Sequence, residues 1–344
     1  MKHTLLFEHL VAKRNLNHEQ MHEVIYACMS GQYSETQIAV FLALMRMKGE
    51  TTEELIAAAD VMQQLAHSIE LGKNLIDIVG TGGDGKNTFN VSTACGFVVA
   101  AAGIPVAKHG NRSVSSRSGS ADLLEHAGFI LSLTDQQIKA CIQQCGLAFL
   151  FAPHYHPAMH YARMARQQLG IRTLFNLLGP LINPARVKRQ VVGVFSTHWQ
   201  KPLARVLVHL GSERALVVSS HDGLDEISIA APTEVVEYRE KTFHHWTIYP
   251  GDYDMQHHSL NDVIINSPDQ SLALIQAVFS GKKGAARDIV LLNSAAAIYC
   301  ANEHLPFERA LEQAKIAIDS GKANQCFTQL CQLTQTLNKK SDHE

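Results

Sequence analysis

Residues 75–93 read LIDIVGTGGDGKNTFNVST, and this stretch sets the architecture of the chain. A short run rich in β-branched residues, 75–79, leads into a glycine-rich loop at 80–85, and a helical pattern begins near Val91. The next apolar run, 104–107, has the character of a second strand. A strand, a loop, a helix and a strand in this order are typical of an α/β domain.

The alternation of strands and helices continues after this unit as far as Ile298. Further strands are predicted at 148–151, 190–195, 215–219 and 234–238. Helices are predicted at about 135–145, 199–210 and 270–280, and the tail at 306–337 is predicted to form two helices that meet near Gly321. The chain is therefore predicted to carry a large α/β domain.

Residues 1–70 show helical periodicity only. Three helix starts combine a capping residue with a Gln or Glu three positions later. These pairs are Asn17 with Gln20, Ser34 with Gln37, and Thr51 with Glu54. One apolar helix face, which needs a partner to cover it, comprises Ile38, Val40, Phe41, Leu44 and Met45. We expect this part to form a small helical domain or a dimer surface.

The composition excludes several classes of protein. The 344 residues, 46% of them hydrophobic, suffice for a sizeable core and two domains. Thirty basic and 32 acidic side chains give no global positive field, which argues against general nucleic-acid binding. Seven cysteines without a C-x-x-C pair argue against a disulfide framework and a zinc site. Since no signal peptide or membrane span is evident either, a cytoplasmic protein is expected.

The glycine loop Gly80-Thr81-Gly82-Gly83-Asp84-Gly85 can bring backbone N–H groups close to an anion. It fits the dinucleotide fingerprint G-x-G-x-x-G, but Lys108-His109 ends the next strand where an acidic residue is expected. It nearly fits the triphosphate loop G-x-x-x-x-G-K-[ST], but Asn87 occupies the position of the magnesium-binding hydroxyl. A purely structural turn is the third interpretation, and the loop alone leaves all three open.

Two polar segments are predicted near this loop. Asn90, Ser92 and Thr93 open the following helix, where their side chains add donors to the positive end of the helix dipole. Asn90 is equally a candidate helix cap. The segment 108–116, KHGNRSVSS, follows the second strand at the same sheet edge, and its cations and serines suit several phosphate oxygens. A solvated loop is the alternative for that segment.

Together with later motifs, these segments resemble the anthranilate phosphoribosyltransferase family. The later motifs are HPAM at 156–159, Arg166 before LGIRT at 169–173, NLLGPL at 176–181, and DGLDE at 222–226. The resemblance implies a small all-helical domain at 1–70, with a middle segment near 165–187 packing on it. It also implies a catalytic α/β domain at 71–344, with a mainly parallel sheet flanked by helices as in nucleoside phosphorylases, and a homodimer formed through the helical domain.

Members of this family transfer the 5-phosphoribosyl group of phosphoribosyl pyrophosphate (PRPP) to the amine of anthranilate. The products are N-(5-phosphoribosyl)anthranilate and pyrophosphate, in the second step of tryptophan biosynthesis from chorismate. The resemblance thus implies a magnesium-dependent glycosyltransferase that holds two Mg²⁺ ions and acts on PRPP and anthranilate.

Carried over by position, the resemblance assigns three sets of residues and no general base. The implied PRPP contacts are Gly80, Gly83, Asp84, Thr88, Asn90, Val91, Ser92, Thr93, Lys108, His109, Gly110, Asn111, Arg112, Ser113, Val114, Ser115, Ser116 and Ser120. The implied anthranilate contacts are Gly80, Asn111 and Arg166. The implied metal ligands are Ser92, Asp225 and Glu226.

The chemistry agrees with these assignments, although each piece also has a simpler interpretation. Carboxylates are the hard oxygen donors that Mg²⁺ prefers, but an adjacent Asp-Glu pair is usually solvated surface. An arginine can orient the carboxylate of anthranilate through paired hydrogen bonds. Arg163 and Arg166 share a helix face, and from spacing alone either is a candidate surface residue.

Two other functions stay open at this point. A pyrimidine nucleoside phosphorylase-like enzyme has the related fold, but the arginine-containing and Asp-Glu motifs favour the transferase. A catalytically silent relative that binds nucleic acid in its groove is opposed by the near-neutral charge and the complete set of motifs.

Overall fold

The computed structural model of the protein describes residues 3–113 and 117–341, and the side chains as far as residue 339. Its first part is helical. The helices are α1 (His3–Val11), α2 (His18–Met29), α3 (Glu35–Lys48) and α4 (Thr52–Leu65). All three predicted capping boxes are confirmed, because Asn17, Ser34 and Thr51 each accept the backbone N–H three residues later while their own N–H donates to the side chain there. These bonds satisfy first-turn N–H groups and so fix where each helix begins.

The predicted apolar face of α3 is narrower than expected. Ile38, Phe41 and Met45 are fully buried, but Val40 is 37% exposed and Leu44 is only half-buried. Successive residues of an α-helix are about 100° apart, so Val40 lies about 200° around the axis from Ile38. Val40 therefore does not share the buried face of α3 with Ile38 and Phe41.

The second part of the protein is built on a sheet. Among the described residues it has seven strands, β1 (Ile76–Gly80), β2 (Val106–Gly110), β3 (Leu147–Phe151), β4 (Arg189–Gly193), β5 (Arg214–Ser220), β6 (Thr233–Arg239) and β7 (Thr242–Ile248). Their order in the sheet is β3-β2-β1-β4-β5-β6-β7. The first five strands in this order pair in parallel, whereas β6 pairs antiparallel with both β5 and β7. The predicted mainly parallel sheet is confirmed.

Two details of the strands differ from the prediction. The second strand lies about two residues later than expected, so Lys108, His109 and Gly110 belong to β2 instead of to the loop after it. The strand β7 was missed. It pairs with β6 through the two-residue turn Glu240-Lys241, which adopts positive φ angles of 49° and 62°. Such turns are usually marked by Asn or Gly, which this one lacks.

Helices cover both faces of the sheet. They are α5 (Val91–Ala101), α6 (Ser120–His126), α7 (Asp135–Cys145), α8 (Ala152–Tyr155), α9 (His160–Leu169), α10 (Leu174–Leu178), α11 (Gln200–His209), α12 (Pro268–Phe279), α13 (Ala285–Ala301), α14 (Phe307–Asp319) and α15 (Lys322–Ser341). Single 3-10 turns lie at Pro157–Met159, Gly179–Leu181, Thr197–Trp199, Pro250–Tyr253 and Asn261–Val263. The predicted helices at 135–145, 199–210 and 270–280 and the pair in the tail are confirmed.

No helix among residues 3–113 and 117–341 has the length and apolarity needed to cross a membrane.

The sheet separates two hydrophobic cores. Successive residues of a strand point to opposite faces, so Val191 packs in one core and Val192 in the other. The first core includes residues of α5, α13, α14 and α15. The second joins α1–α4 to α9, α10 and α11, and Leu174 of α10 is fully buried in it. The segment around α9 and α10 thus packs with helices that precede it by about a hundred residues in the sequence.

The fully buried carboxylate of Glu54 joins three parts of the helical region. It accepts hydrogen bonds from the N–H groups of Leu16 and Thr51 and from Lys48 Nζ, each at 2.8 Å. The Lys48 side chain is only 2% exposed. Removing one partner of such a pair leaves the other as a buried charge without a partner, which typically lowers the free energy of unfolding by about 3–5 kcal/mol.

We therefore predict that Glu54→Gln lowers the free energy of unfolding, measured by urea denaturation, by about 3 kcal/mol. The control is Glu303→Gln, because Glu303 is 68% exposed and contacts Arg189 at 3.4 Å. A change below about 1 kcal/mol is expected for the control. Equal losses in the two variants would contradict the role given to Glu54.

Candidate active site

The site lies at the edge where the parallel strands end. Gly80 at the end of β1 pairs with Gly193 at the end of β4, and Gly110 at the end of β2 pairs with Phe151 at the end of β3. The N–H of Thr81 donates to Gly193 O at 2.9 Å, so the glycine loop, residues 80–85, begins next to the end of β4. Ligands of α/β proteins bind at this edge of the sheet.

The acidic loop, residues 222–226, packs against these strand ends. Gly82 N–H donates to Asp225 Oδ2 at 2.6 Å. A methyl group at Gly193 would overlap the backbone oxygen of Asp225, and one at Gly80 would lie 2.5 Å from Asp225 Oδ2. Glycine is required at both positions by this close approach. The sequence therefore brings two distant motifs, 143 residues apart, into direct contact.

The two carboxylates of the Asp-Glu pair connect the glycine loop to the start of α5. Asp225 is 8% exposed. Glu226 is half-buried; its Oε1 accepts the N–H of Ser92 at 3.1 Å, while its Oε2 is buried without a hydrogen-bond partner among the described residues. The alternative that this pair is solvated surface is wrong.

The environment of the pair disfavours two negative charges. Burial raises the pKa of Asp225 to about 8, with Asp84 adding to the increase and the Gly82 N–H opposing it. Burial also raises the pKa of Glu226 well above its usual value, with Asp225 and then Asp84 adding to the effect. A bound cation would reverse this, because positive charge favours the carboxylate form. The unpartnered Glu226 Oε2 and the crowded charges therefore fit a metal ion.

The described residues supply only some of the ligands in the coordination shell of a metal ion. They contain no cluster of three or more His, Cys, Asp or Glu side chains arranged to hold an ion. Magnesium is usually bound by one or two carboxylates, with waters and substrate phosphates as the other ligands. Asp225 and Glu226 match that pattern.

Lys108 supplies a positive charge at the same edge. The residue is 3% exposed, and its Nζ donates to Ile78 O at 2.6 Å and to Ser92 Oγ at 3.2 Å. Burial lowers the pKa of this lysine, while Asp77 opposes the shift. The ammonium group thus lies beneath the first turn of α5, next to a predicted metal ligand.

Asn90 links three elements around the helix start. Its Oδ1 accepts Ser118 Oγ at 2.9 Å and Ser271 Oγ at 2.7 Å, and its Nδ2 donates to Ser118 O at 3.1 Å. The side chain does not cap α5, so that interpretation of Asn90 was wrong. Neither Ser118 nor Ser271 was found from the sequence, because isolated serines carry no pattern.

Two of the other predicted residues at the start of α5 are buried. Val91 is fully buried in the first core, and Thr93 is 1% exposed, with its Oγ1 lacking a hydrogen-bond partner among residues 3–113 and 117–341. Thr88 forms an isolated β-bridge with Ile264. Of the residues 91–93, only Ser92 is partly exposed.

The segment after β2 turns toward α6. Arg112 pairs with Glu125, with Nε at 3.1 Å from Glu125 Oε2, and its guanidinium lies 5.2 Å from the ring centre of Phe151. Ser113 N–H donates to Asp122 Oδ2 at 2.9 Å, and Ser120 Oγ donates to Asn111 O at 3.3 Å. The predicted contacts Val114, Ser115 and Ser116 lie outside the described residues. These hydrogen bonds hold the segment after β2 against α6. The partners of Arg112 are Glu125 of α6 and Phe151 of β3, and neither belongs to the glycine loop.

Two buried histidines lie beside this segment, 5.2 Å apart between ring centres. His156 Nε2 is 3.0 Å from Ile182 O, and the ring of His109 is hydrogen-bonded to the backbone of Gly179. His109 Nε2 and His156 Nδ1 are buried without partners in the described part of the chain. Burial lowers the pKa of His109 to about 3, with His156 adding to the shift, and lowers that of His156 to about 4. Both rings are therefore neutral near pH 7.

Arg166 and Arg163 on α9 have different environments. Arg163 is exposed, whereas Arg166 is half-buried with its guanidinium 5.7 Å from the ring centre of Phe175. Burial lowers the pKa of Arg166. Of the two arginines, Arg166 is the one in a sheltered position.

Asp77 and Asn183 form a buried polar link that the sequence analysis missed. Asn183 Nδ2 lies 2.8 Å from both Asp77 Oδ2 and Ala107 O, and Asp77 Oδ1 accepts the N–H of His109 at 3.3 Å. This link ties the segment after α10 to β1 and β2. The acidic residue inside the apolar run LIDIV was the available signal, because a buried carboxylate requires partners.

Comparison with known proteins gives consistent matches over both parts of the chain. Residues 5–66 match the helical bundle domain of the glycosyl transferase family, and residues 72–324 match its a/b domain. Anthranilate phosphoribosyltransferase of Legionella pneumophila (strain Paris) is 72% identical over 344 residues, covering 100% of both chains.

Two solved structures are also similar. The crystal structure of anthranilate phosphoribosyltransferase from Thermus thermophilus has a TM-score of 0.88 and 36% identity, covering 96% of this chain and 99% of the other. The enzyme from Saccharomyces cerevisiae in complex with PRPP and Mg has a TM-score of 0.87 and 26% identity, covering 98% and 99%.

Gly193→Ala tests the contact between the strand ends and the acidic loop. The new methyl group meets backbone, which cannot rotate away, so Asp225 must shift. We predict a loss of about 1–3 kcal/mol in the free energy of unfolding. Gly251→Ala is the control, because no atom lies within 4 Å of its added methyl group; its stability should change by less than about 0.5 kcal/mol. A stable Gly193→Ala protein would contradict the observed packing.

His156→Gln tests the buried histidines through the pH dependence of stability. The pKa of His156 is about 4 in the folded protein, below its unfolded value of about 6.5, so the unfolded state takes up a proton first as pH falls. Its contribution to stability is complete above about pH 6.5 and is lost toward pH 4. Between those values the variant should lose about 1.4 kcal/mol less per pH unit than the parent protein. Replacing the exposed His304 by Gln should leave the slope unchanged, and an unchanged slope in His156→Gln would refute the assignment.

Proposed function

The chain belongs to the anthranilate phosphoribosyltransferase family, and we propose on that basis that it transfers the 5-phosphoribosyl group of PRPP to the amine of anthranilate, releasing pyrophosphate. The observation that carries the proposal is the convergence of the glycine loop, the α5 start, the buried Lys108 and the carboxylates of Asp225 and Glu226 at one sheet edge. The reaction makes N-(5-phosphoribosyl)anthranilate, the second step of tryptophan biosynthesis from chorismate.

The proposed PRPP site extends from the glycine loop to the segment after β2. The proposed contacts are Gly80, Gly83 and Asp84 of the glycine loop, the residues from Asn90 to Thr93 at the start of α5, and the segment 108–116 together with Ser120. Backbone N–H groups and a helix N-terminus suit phosphate oxygens. Lys108 adds a charge that burial keeps from being screened by solvent.

We propose that Asp225, Glu226 and Ser92 hold magnesium, with two ions in the complete site. In support, Glu226 Oε2 has no partner in the described part of the chain, Glu226 Oε1 accepts the Ser92 N–H at 3.1 Å, and Asp225 accepts the Gly82 N–H at 2.6 Å. Bound magnesium stabilises the negative charge that develops on the departing pyrophosphate. The chain's own task is to hold the two carboxylates close together at the sheet edge, where a bound cation would favour their charged form.

Anthranilate is proposed to bind through Arg166, Asn111 and Gly80. Arg166 is sheltered from solvent beside Phe175, and a guanidinium in such a place pairs strongly with a carboxylate. Orientation of the amine toward the ribose is then the main contribution of these residues. We assign no general base, and we propose that the proton passes to water or to the carboxylate of anthranilate itself.

The family membership opposes the two alternative functions. A nucleoside phosphorylase-like reaction or a silent nucleic-acid-binding role finds no support in a relative that is 72% identical along the whole chain. A cytoplasmic location, expected from the cysteine content, stays a prediction.

We also propose that residues 1–70 form a helical domain on which the segment near 165–187 packs, that 71–344 form the catalytic domain, and that the helical domain mediates a homodimer. In support, Leu174 and Ala165 share a core with α1–α4. Several large apolar side chains of the helical part are exposed, which favours an interface. They are Leu5, Val11, Tyr26, Val40 and Met47.

The decisive experiment follows the loss of anthranilate fluorescence after PRPP and magnesium are added. We predict turnover by the parent protein, and at least a 100-fold lower kcat/KM, roughly 2.7 kcal/mol, in the double variant Asp225→Asn, Glu226→Gln. The matched control is Asp252→Asn, Asp254→Asn, an acidic pair on the exposed surface. Full activity in the first double variant would eliminate the metal site, and no turnover by the parent protein would eliminate the proposed function.

A further inference from the structure

Arg172 reaches from the helical segment to the glycine loop. It lies between α9 and α10, in the motif LGIRT, and none of the assignments above gives it a role. A methyl group at Gly83 would lie 2.9 Å from Arg172 Cδ and 3.2 Å from its Cγ. The stem of Arg172 therefore crosses directly over Gly83, whose φ of +72° also favours glycine.

The guanidinium group of Arg172 is held in place by an aromatic ring. Its Cζ lies 4.0 Å from the ring centre of Phe195, a close cation–π contact. Phe195 follows the last residue of β4 by two positions, and that residue, Gly193, pairs with Gly80 at the start of the glycine loop. The charge is thus fixed over the ends of β1 and β4.

This guanidinium has an unused donor. Arg172 Nη1 is buried and has no hydrogen-bond partner among the described residues, and no ion pair involves Arg172 in that part of the chain. By contrast, Arg112 pairs with Glu125, and Arg214 pairs with Glu237. A buried donor left unpaired typically costs about 1–3 kcal/mol, and more when it is charged. An anionic ligand would recover that energy.

We propose that Arg172 binds phosphoryl oxygens of the pyrophosphate group of PRPP as they meet the glycine loop. The inference rests on the proposed function and adds a residue to it. The ligand is proposed to be phosphoryl because the Arg172 stem lies over Gly83, in the glycine loop that is proposed to line the PRPP site. Arg172 also places a positive charge beside the carboxylates of Asp84, Asp225 and Glu226, whereas Arg112 is paired with Glu125. The planar fork of arginine suits two phosphoryl oxygens at once.

The position of Arg172 gives this contact a second consequence. Leu174, two residues later, is fully buried in the core shared with α1–α4. A phosphoryl group bound by Arg172 and by the glycine loop would therefore tie the α9–α10 segment to the sheet edge. That segment also carries Arg166, so PRPP binding would fix the residue proposed to receive anthranilate.

The test combines steady-state kinetics with binding of pyrophosphate in the presence of Mg²⁺, measured by calorimetry on the full chain. Arg172→Gln should raise both the KM for PRPP and the Kd for pyrophosphate by about 10- to 100-fold, the effect of losing a charge-assisted hydrogen bond. The KM for anthranilate at saturating PRPP should change less than about threefold. Arg163→Gln, an exposed arginine on α9, is the control and should change none of the three.

Each other outcome contradicts the proposal. If only the KM for anthranilate rises, Arg172 recognises the carboxylate of the aromatic acid; if no constant changes, it has no ligand. Should Arg172→Gln not fold, Arg172→Lys keeps the charge without the fork, and unchanged pyrophosphate affinity in that variant overturns the idea. Pyrophosphate binding needs no turnover, so it still tests Arg172 if the parent protein proves inactive with anthranilate.

Discussion

The contact between Asp225 and the ends of β1 and β4 is the constraint on which the site depends. Gly80 and Gly193 pair across β1 and β4 and leave room for the acidic loop to pack against the sheet. The Gly82 N–H donates to the Asp225 carboxylate at 2.6 Å. No larger residue fits at Gly193, because the obstacle is backbone. The sheet thereby positions the acidic pair, and the same hydrogen bond holds the glycine loop.

This arrangement stores unfavourable electrostatics in the free protein. Burial and mutual repulsion raise the pKa values of Asp225 and Glu226, and burial lowers the pKa of Lys108. Each group is thus held in surroundings that disfavour its charged form until an ion of opposite sign binds. A ligand that brings phosphates together with a divalent cation relieves all three at once. Such coupling gives a physical reason for metal and PRPP to bind together.

Much of this could be predicted from the sequence, because local patterns determined it. The three capping boxes, the strand before the glycine loop and the paired tail helices follow from short-range hydrogen bonding and periodicity. Other features depend on distant contacts that no local pattern encodes. The partners of Asn90, the buried link of Asp77 with Asn183, and the strand β7 with its Glu240-Lys241 turn belong to this class. The family resemblance named candidate ligands, but only coordinates show that Arg112 is paired with Glu125.

The two cores explain how one chain joins a rigid site to a second substrate surface. The first core supports β1, β2 and α5, which carry the glycine loop and Lys108, whereas the second supports α9 and α10, which carry Arg166 and flank Arg172. The two cores lie on opposite faces of the sheet, and polar side chains also connect the elements that they support. Asn183 makes such a connection permanently through Asp77. Arg172 makes the other over Gly83 and Phe195, with a donor left for an anion. The proposed contacts would couple the two substrates, because a phosphoryl group bound by Arg172 would hold the α9–α10 segment at the sheet edge, and Arg166, the residue proposed to bind anthranilate, lies on that segment.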